Sequence, residues 1–307
     1  MEIIKRLSKI RRRHRNNILT IGTFDGIHLG HQAIIKNVLN HARFFKRRSV
    51  VLTFYPHPSE VLGSNGKSIT TLEEKIRLIK ELGVGVLIIL RFTRKLASLS
   101  PVQFIKKVLL RLAPLEIIVG FNHTFGRGGK GRPEQLKKFG KVHHFKVTII
   151  NLKVSRGKYV NSTGIRVLIR DGDVGKAKDE LGRYFSITGE VVKGKGRGEV
   201  LGFPTANLRI PSSKILPENG VYASYVWIAG KKYKGIANLG CRPTFREKLK
   251  YPRVEVFIIG FKGKLYGRSL KVEFVERIRE EKKFNGTEAL KLQIKKDILK
   301  MKGVQWL

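Results

Sequence analysis

The chain has 307 residues, 41% of them hydrophobic, enough for one large or two ordinary domains. No apolar run of about 18 residues occurs, so a helical membrane span is not expected, and the basic start from Met1 to Arg15 leads into no apolar signal-peptide stretch. The lone Cys241 excludes a disulfide framework and a cysteine zinc site and points to a reducing cytoplasm. The net charge is +40, from 63 Lys/Arg against 23 Asp/Glu. Residues 1–180 hold 36 basic and 12 acidic groups, and residues 181–307 hold 27 and 11. Because the excess is spread along the chain, it reads as a general positive potential that helps anionic substrates arrive, not as dedicated nucleic-acid binding.

Residues 1–16 read as a basic lead-in. From there apolar runs alternate with helical patterns. Strands are expected at Ile18–Ile21, Val50–Phe54, Val84–Leu90, Glu116–Gly120 and Phe145–Leu152. Helices are expected at His31–Lys46, Leu72–Leu82, Pro101–Leu112 and Pro133–Phe139. Ser100 is the expected N-cap of the third helix, with Pro101 at its first position. Wholly apolar strands separated by helices predict a parallel α/β sheet of Rossmann type. Two short helices, Ser162–Arg170 and Val174–Leu181, follow. After about Gly182 the texture changes to short strands with glycine-containing turns: Tyr184–Val192, Val221–Ile228, Lys231–Ala237, Val254–Ile259 and Ser269–Val275. This predicts a small antiparallel β-barrel or sandwich, closed by a helix over Thr287–Met301 with Thr287 as N-cap. The expected domains are therefore 1–182 and 183–307.

The stretch Ile21-Gly22-Thr23-Phe24-Asp25-Gly26-Ile27-His28-Leu29-Gly30-His31-Gln32 joins the first strand to the first helix. Strand, glycine-rich turn and helix present backbone N–H groups to a phosphate. His28 and His31 stand three apart and can face the same ligand, stabilising charge on a leaving pyrophosphate. A metal pair and ordinary cap residues are the alternatives. Gly63-Ser64-Asn65-Gly66-Lys67-Ser68 imitates a phosphate-binding loop, but its glycine spacing is wrong, and a mobile surface loop is expected there.

The first of these stretches resembles the nucleotidylyltransferase signature in the form carried by prokaryotic bifunctional riboflavin kinase/FAD synthetases. Thr53–Pro58, Gly120-Phe121-Asn122-His123-Thr124-Phe125-Gly126 and Asn161-Ser162-Thr163-Gly164-Ile165-Arg166 resemble later elements of that family. The resemblance implies that Gly22, Phe24, Asp25, Gly30, Asn122, Ser162 and Thr163 bind ATP or FMN. It implies that His28, His31 and Arg166 act on the transferring phosphates. Asn161, Gly164 and His123 depart from the usual pattern.

In the second half the glycines of Gly194–Gly198 make a flexible turn whose backbone can approach phosphates closely, and Gly202-Phe203-Pro204-Thr205-Ala206-Asn207 resembles the riboflavin kinase signature. Thr205 and Asn207 offer hard oxygens suited to Mg²⁺ with ATP. Glu255 alternates with Val254 and Val256, so it is either a solvated outer-face residue or a catalytic one. The resemblance makes it the base that accepts the hydroxyl proton. It also implies ATP or flavin binding by Gly196, Gly202, Phe203, Pro204, Asn238 and Arg279. The expectation is an ATP- and Mg²⁺-dependent enzyme with riboflavin, FMN and ATP as its partners, monomeric or transiently oligomeric. It phosphorylates riboflavin to FMN and then adenylylates FMN to FAD. A kinase-only protein, or a basic nucleic-acid-binding protein on an enzyme scaffold, are the alternatives.

Overall fold

A computed structural model describes the chain except residues 65, 152–158, 195–201, 241–252, 283, 285, 305 and 307. Gly196 and Cys241 therefore lie outside the described residues. The chain forms two compact units, Met1–Ser162 and Thr163–Leu307.

The first unit is built on six parallel strands: β1 Glu2–Ile4, β2 Ile18–Ile21, β3 Ser49–Tyr55, β4 Val86–Arg91, β5 Glu116–Gly120 and β6 Lys146–Ile150. They lie in the order β1-β4-β3-β2-β5-β6. The lead-in thus supplies an edge strand that its basic composition does not announce: Glu2–Ile4 pairs with Val86–Ile88. The central strands are apolar throughout because both faces are covered. Val50, Leu52 and Phe54 of β3 pack with Phe104, Leu109 and Leu112 of the helical segment 101–112. Val51 faces the other way, toward Ile35 of helix α1 (Leu29–Phe44) and Ile79 of helix α2 (Leu72–Glu81). Segment 101–112 begins as the capping signal predicts: Ser100 Oγ accepts from Gln103 N at 3.2 Å, with Pro101 next. It then widens into a π turn over Ile105–Leu109 and tightens into a 3₁₀ turn. Helix α3 (Pro133–Val142) precedes β6.

In the second unit, helices α4 (Ser162–Arg170) and α5 (Val174–Leu181) lead to the barrel; Ser162, the first residue of α4, is the last of the first unit. Six antiparallel strands close it: β7 Phe185–Val192, β8 Thr205–Arg209, β9 Gly220–Ile228, β10 Lys231–Gly240, β11 Arg253–Ile258 and β12 Ser269–Arg279. Their order around the barrel is β10-β11-β8-β7-β12-β9. In its interior Phe274 stacks on Phe185 and meets Tyr222 in a T-shaped contact. The other face of β9 is buried too, because Val221, Ala223 and Tyr225 pack under Met301 and Val304 at the end of helix α6 (Thr287–Lys300). Thr287 opens this helix but is not its cap. That place falls to Gly286, whose φ of 104° suits glycine.

Candidate active site

Strand order reverses at β2, with β3 on one side and β5 on the other. The carboxyl ends of two such strands leave a crevice between them. There the chain turns sharply out of β2. Phe24, Gly26 and Ile27 have φ of 47°, 83° and 41°. Only Gly26 adopts that region at no cost; Ile27, a branched residue, is strained in it. Burial and polar anchors hold the strain. Phe24 and Ile27 are buried. The Asp25 carboxylate accepts from Ile69 N at 3.0 Å and from Thr70 N at 3.1 Å. The Thr23 carbonyl accepts from Thr53 Oγ1 at 3.1 Å and Lys75 Nζ at 2.7 Å. Burial pushes the Lys75 ammonium pKa down, opposed by the charge of Asp25. Ser162 Oγ donates to the Asp25 carbonyl at 2.9 Å. Thr53, Ile69, Thr70 and Lys75 are not candidate site residues by sequence, since a residue that braces a turn carries no chemical signature.

The braced turn delivers His28 as the N-cap of α1, with Nδ1 accepting from His31 N at 3.4 Å. The two rings stack with centroids 3.6 Å apart, and the His31 ring meets the Phe24 edge at 5.1 Å. Both imidazoles thus stand at a helix N-terminus, where the dipole and free N–H groups favour anions. A cleft of about 230 Å³ opens here, lined by His28, Gly30, His31, Asn122 and Ser162 among others. Five predicted residues, His28, Gly30, His31, Asn122 and Ser162, therefore meet in one place, while Phe24 and Asp25 lie buried beside it. Phe121 and Tyr159, whose aromatic contact the sequence does not signal, also line the cleft, with ring centroids 4.5 Å apart. Thr163 and Arg166 belong to the second compact unit, three apart on α4. His123 stacks on Phe125, and its Nε2 has no partner among the described residues. Desolvation pushes its pKa down to about 4.

The barrel presents a second constellation. Glu255 of β11 pairs in register with Asn207 of β8 and with Asn238 of β10. Val254 and Val256 are buried, leaving Glu255 half-buried on the opposite face beside the two asparagines. Thr205 lies two residues before Asn207 and pairs with Phe257, so it shares this face. The Phe203 ring packs edge-on to Phe257 at 5.4 Å, tying the Gly202–Pro204 turn to the same strand. Gly202 has a φ of 80°. The Asn207 amide lies so close to the Cα of Gly194 that a Cβ there would overlap it. Asn238 Oδ1 is buried with no partner among the described residues. Hydroxyl, amide carbonyl and carboxylate oxygens on one face form a donor set that fits Mg²⁺, a hard cation. Arg279 continues the row through Val221. Its guanidinium is held by Asp297, at 2.9 Å from Nε and 2.8 Å from Nη2, and stands over the Phe284 ring at 5.6 Å.

An FAD synthetase family model matches residues 10–164, and a riboflavin kinase family model matches residues 181–304. The bifunctional riboflavin kinase/FMN adenylyltransferase of Bacillus subtilis is 39% identical over 94% of this chain and 92% of its own length. The chain belongs to the bifunctional riboflavin kinase/FMN adenylyltransferase family. The family member from Escherichia coli strain K12 is 34% identical, covering 92% of this chain and 90% of its own length. A solved structure described as a macrolide-efflux protein from Streptococcus pneumoniae superposes with a TM-score of 0.88, at 32% identity, over 99% of both chains. Among the described residues no helix is long and apolar enough to cross a membrane.

Proposed function

We propose that this chain makes FAD in two steps, with residues 183–307 acting as riboflavin kinase and residues 1–182 as FMN adenylyltransferase. The observation that carries this reading is the pairing of two unlike constellations in one family chain. One is a histidine-capped helix N-terminus at the strand-order reversal; the other is a carboxylate set between two asparagines on a barrel face.

In the kinase step Glu255 accepts the proton of the terminal ribityl hydroxyl as that oxygen attacks the γ-phosphorus of ATP, giving FMN and ADP. Thr205 and Asn207 hold Mg²⁺. When bound, the ion neutralises charge on the ATP phosphates. Gly202, Phe203, Pro204, Asn238 and Arg279 belong to the ATP and flavin surroundings of this half. In the second step a phosphate oxygen of FMN attacks the α-phosphorus of a second ATP, and pyrophosphate leaves. The FMN phosphate is already anionic, so this step needs no general base. His28 and His31 donate to the charge that develops on the leaving pyrophosphate, joined by the Arg166 fork. Asn122, Ser162 and Thr163 position the substrates over the turn formed by Gly22, Phe24, Asp25 and Gly30. The protein works in the cytoplasm, as a monomer or transient oligomer.

The test is to incubate the whole protein with riboflavin, Mg²⁺ and ATP and follow both products. FMN is expected first and FAD after it. FMN without FAD would leave only the kinase; neither product would remove the enzymatic reading.

A further inference from the structure

Along the sequence the cationic excess is spread, but folding gathers part of it. Every strand of the parallel sheet runs the same way, so the segments that lead into strands arrive at one edge. Arg11, Arg12, Arg13 and Arg15 precede β2, and Lys46, Arg47 and Arg48 precede β3. Arg111 comes shortly before β5, and Lys146 opens β6. All are exposed. Backbone and ion-pair contacts hold these segments side by side. Arg13 and Arg48 both reach Glu2, at 2.8 and 3.6 Å. Asn16 N donates to the Ala113 carbonyl at 2.8 Å, and Lys146 N donates to the Leu115 carbonyl at 3.0 Å. Helix α1 ends at the same edge and adds Arg43. The acids Glu2 and Glu116 found there are already paired, Glu2 with Arg13 and His14, Glu116 with His41 and Lys146.

Two aromatic rings sit among these cations. Phe44 is 80% exposed and Phe45 40%, and their planes stand 89° apart with centroids 4.9 Å apart. An exposed phenyl face flanked by Arg43, Lys46 and Arg47 is the pairing that single-stranded nucleic acid uses: cations along the backbone, a ring under a base.

The geometry points to a binding surface for single-stranded nucleic acid at this edge, with the guanidinium forks on phosphodiesters and Phe44 as a stacking platform. Attraction of substrate to the nucleotide cleft does not account for the cluster. The cleft lies at the carboxyl ends of the strands, and the seven residues of β3 put about 23 Å between the two edges at about 3.3 Å per residue. That is more than twice the screening length of about 8–10 Å in physiological salt. An anionic membrane surface is a poorer match, because stable insertion needs a broad apolar face and this edge is chiefly arginine. The inference does not depend on the enzymatic reading, since none of these residues belongs to either site.

The test is fluorescence anisotropy with a labelled, mixed-sequence oligoribonucleotide of about 20 nucleotides, longer than a typical single-strand site. Changing Arg12, Arg15, Arg43 and Arg47 together to Ser is expected to weaken binding on the order of 10²-fold at physiological salt. It is also expected to lower the slope of log affinity against log salt by about 3, at about 0.7 for each phosphate no longer neutralised. Changing Lys231, Lys262, Lys264 and Lys295 of the second unit to Ser removes the same charge, and a fall under about 3-fold is expected. Phe44→Ala, which leaves every charge in place, is expected to cost on the order of 10-fold and covers the case in which the fourfold arginine variant does not fold. An equal fall in the lysine variant would make the binding diffuse and overturn the proposal. So would absence of binding by the unaltered protein, or binding to vesicles of phosphatidylglycerol and phosphatidylcholine without binding to the oligoribonucleotide.

Discussion

Ser162 Oγ donates to the backbone carbonyl of Asp25 at 2.9 Å, across 137 positions of sequence. The bond ties the last residue of the first unit to the most strained part of the turn after β2, between Phe24 and Ile27, both at positive φ. Ser162→Ala removes one anchor of that turn. Losing such a bond costs about 1 kcal/mol, so FAD formation from FMN is expected to fall roughly 5- to 10-fold while FMN formation from riboflavin stays unchanged. Separate rate measurements of the two steps check this; an equal fall in both would mean general destabilisation.

His28 caps α1 and stacks on His31. His28→Ala should slow adenylyl transfer on the order of 10²-fold if its N–H meets the leaving pyrophosphate. An unchanged FAD rate, with only a small drop in melting temperature, would make His28 a cap and nothing more.

Glu255 stands in register between Asn207 and Asn238. Glu255→Gln keeps the shape and removes the carboxylate that the proposal makes the base. FMN formation should be abolished, and FAD synthesis from supplied FMN should persist. Wild-type FMN formation by this variant excludes Glu255 as the base.

His123 carries a pH signature. Its folded-state pKa is pushed down to about 4 from an ordinary 6.5. Between these values the unfolded chain binds more protons than the folded one, so stability falls as pH drops from about 6.5 to about 4. The contribution is on the order of 3 kcal/mol. His123→Phe should therefore raise the denaturation midpoint at about pH 4–5 relative to the parent and shift the pH 8 value by a constant amount only. Equal shifts at both pH values would show that the ring titrates normally.

Arg279 and Asp297 form a buried two-point pair, with side chains 12% and 2% exposed. Breaking such a pair from one side leaves an unmatched buried charge and costs about 3–5 kcal/mol. Asp297→Ala should lower the unfolding temperature of the barrel accordingly. If Arg279 also meets flavin, Arg279→Lys will raise the KM for riboflavin beyond what the stability loss explains. An unchanged KM assigns Arg279 to joining α6 and β12 alone.

Much of both sites is legible in local sequence. Gly26, His28 and His31 announce themselves because a strand, a left-handed glycine and a helix start follow within a few residues. Glu255 fits an ordinary strand alternation, so only the family resemblance singles it out. Ser100 shows its cap through its place just before Pro101 at the helix start. By contrast Lys75, Thr70 and Thr53 look like ordinary helix and loop residues, and only their convergence on Thr23 and Asp25 makes them supports. The loop ending at Ser68 reads as surface, yet Ile69 and Thr70, just beyond it, anchor Asp25.

The sequence by itself determined the two architectures, the parallel sheet and the later antiparallel strands, because hydrophobic period and turn chemistry are local properties. It also singled out the candidates for phosphate and proton chemistry, by residue type, spacing and family resemblance. Only the tertiary structure decided which of them meet. Strand order places the His28 turn beside Asn122 and under Ser162, and barrel register sets Asn207 and Asn238 on either side of Glu255. The same parallel order collects Arg12, Arg47 and Lys146 at one edge, although no stretch of sequence concentrates them. Proximity between distant segments depends on strand order and register, which are set by packing across the whole sheet rather than by any segment alone.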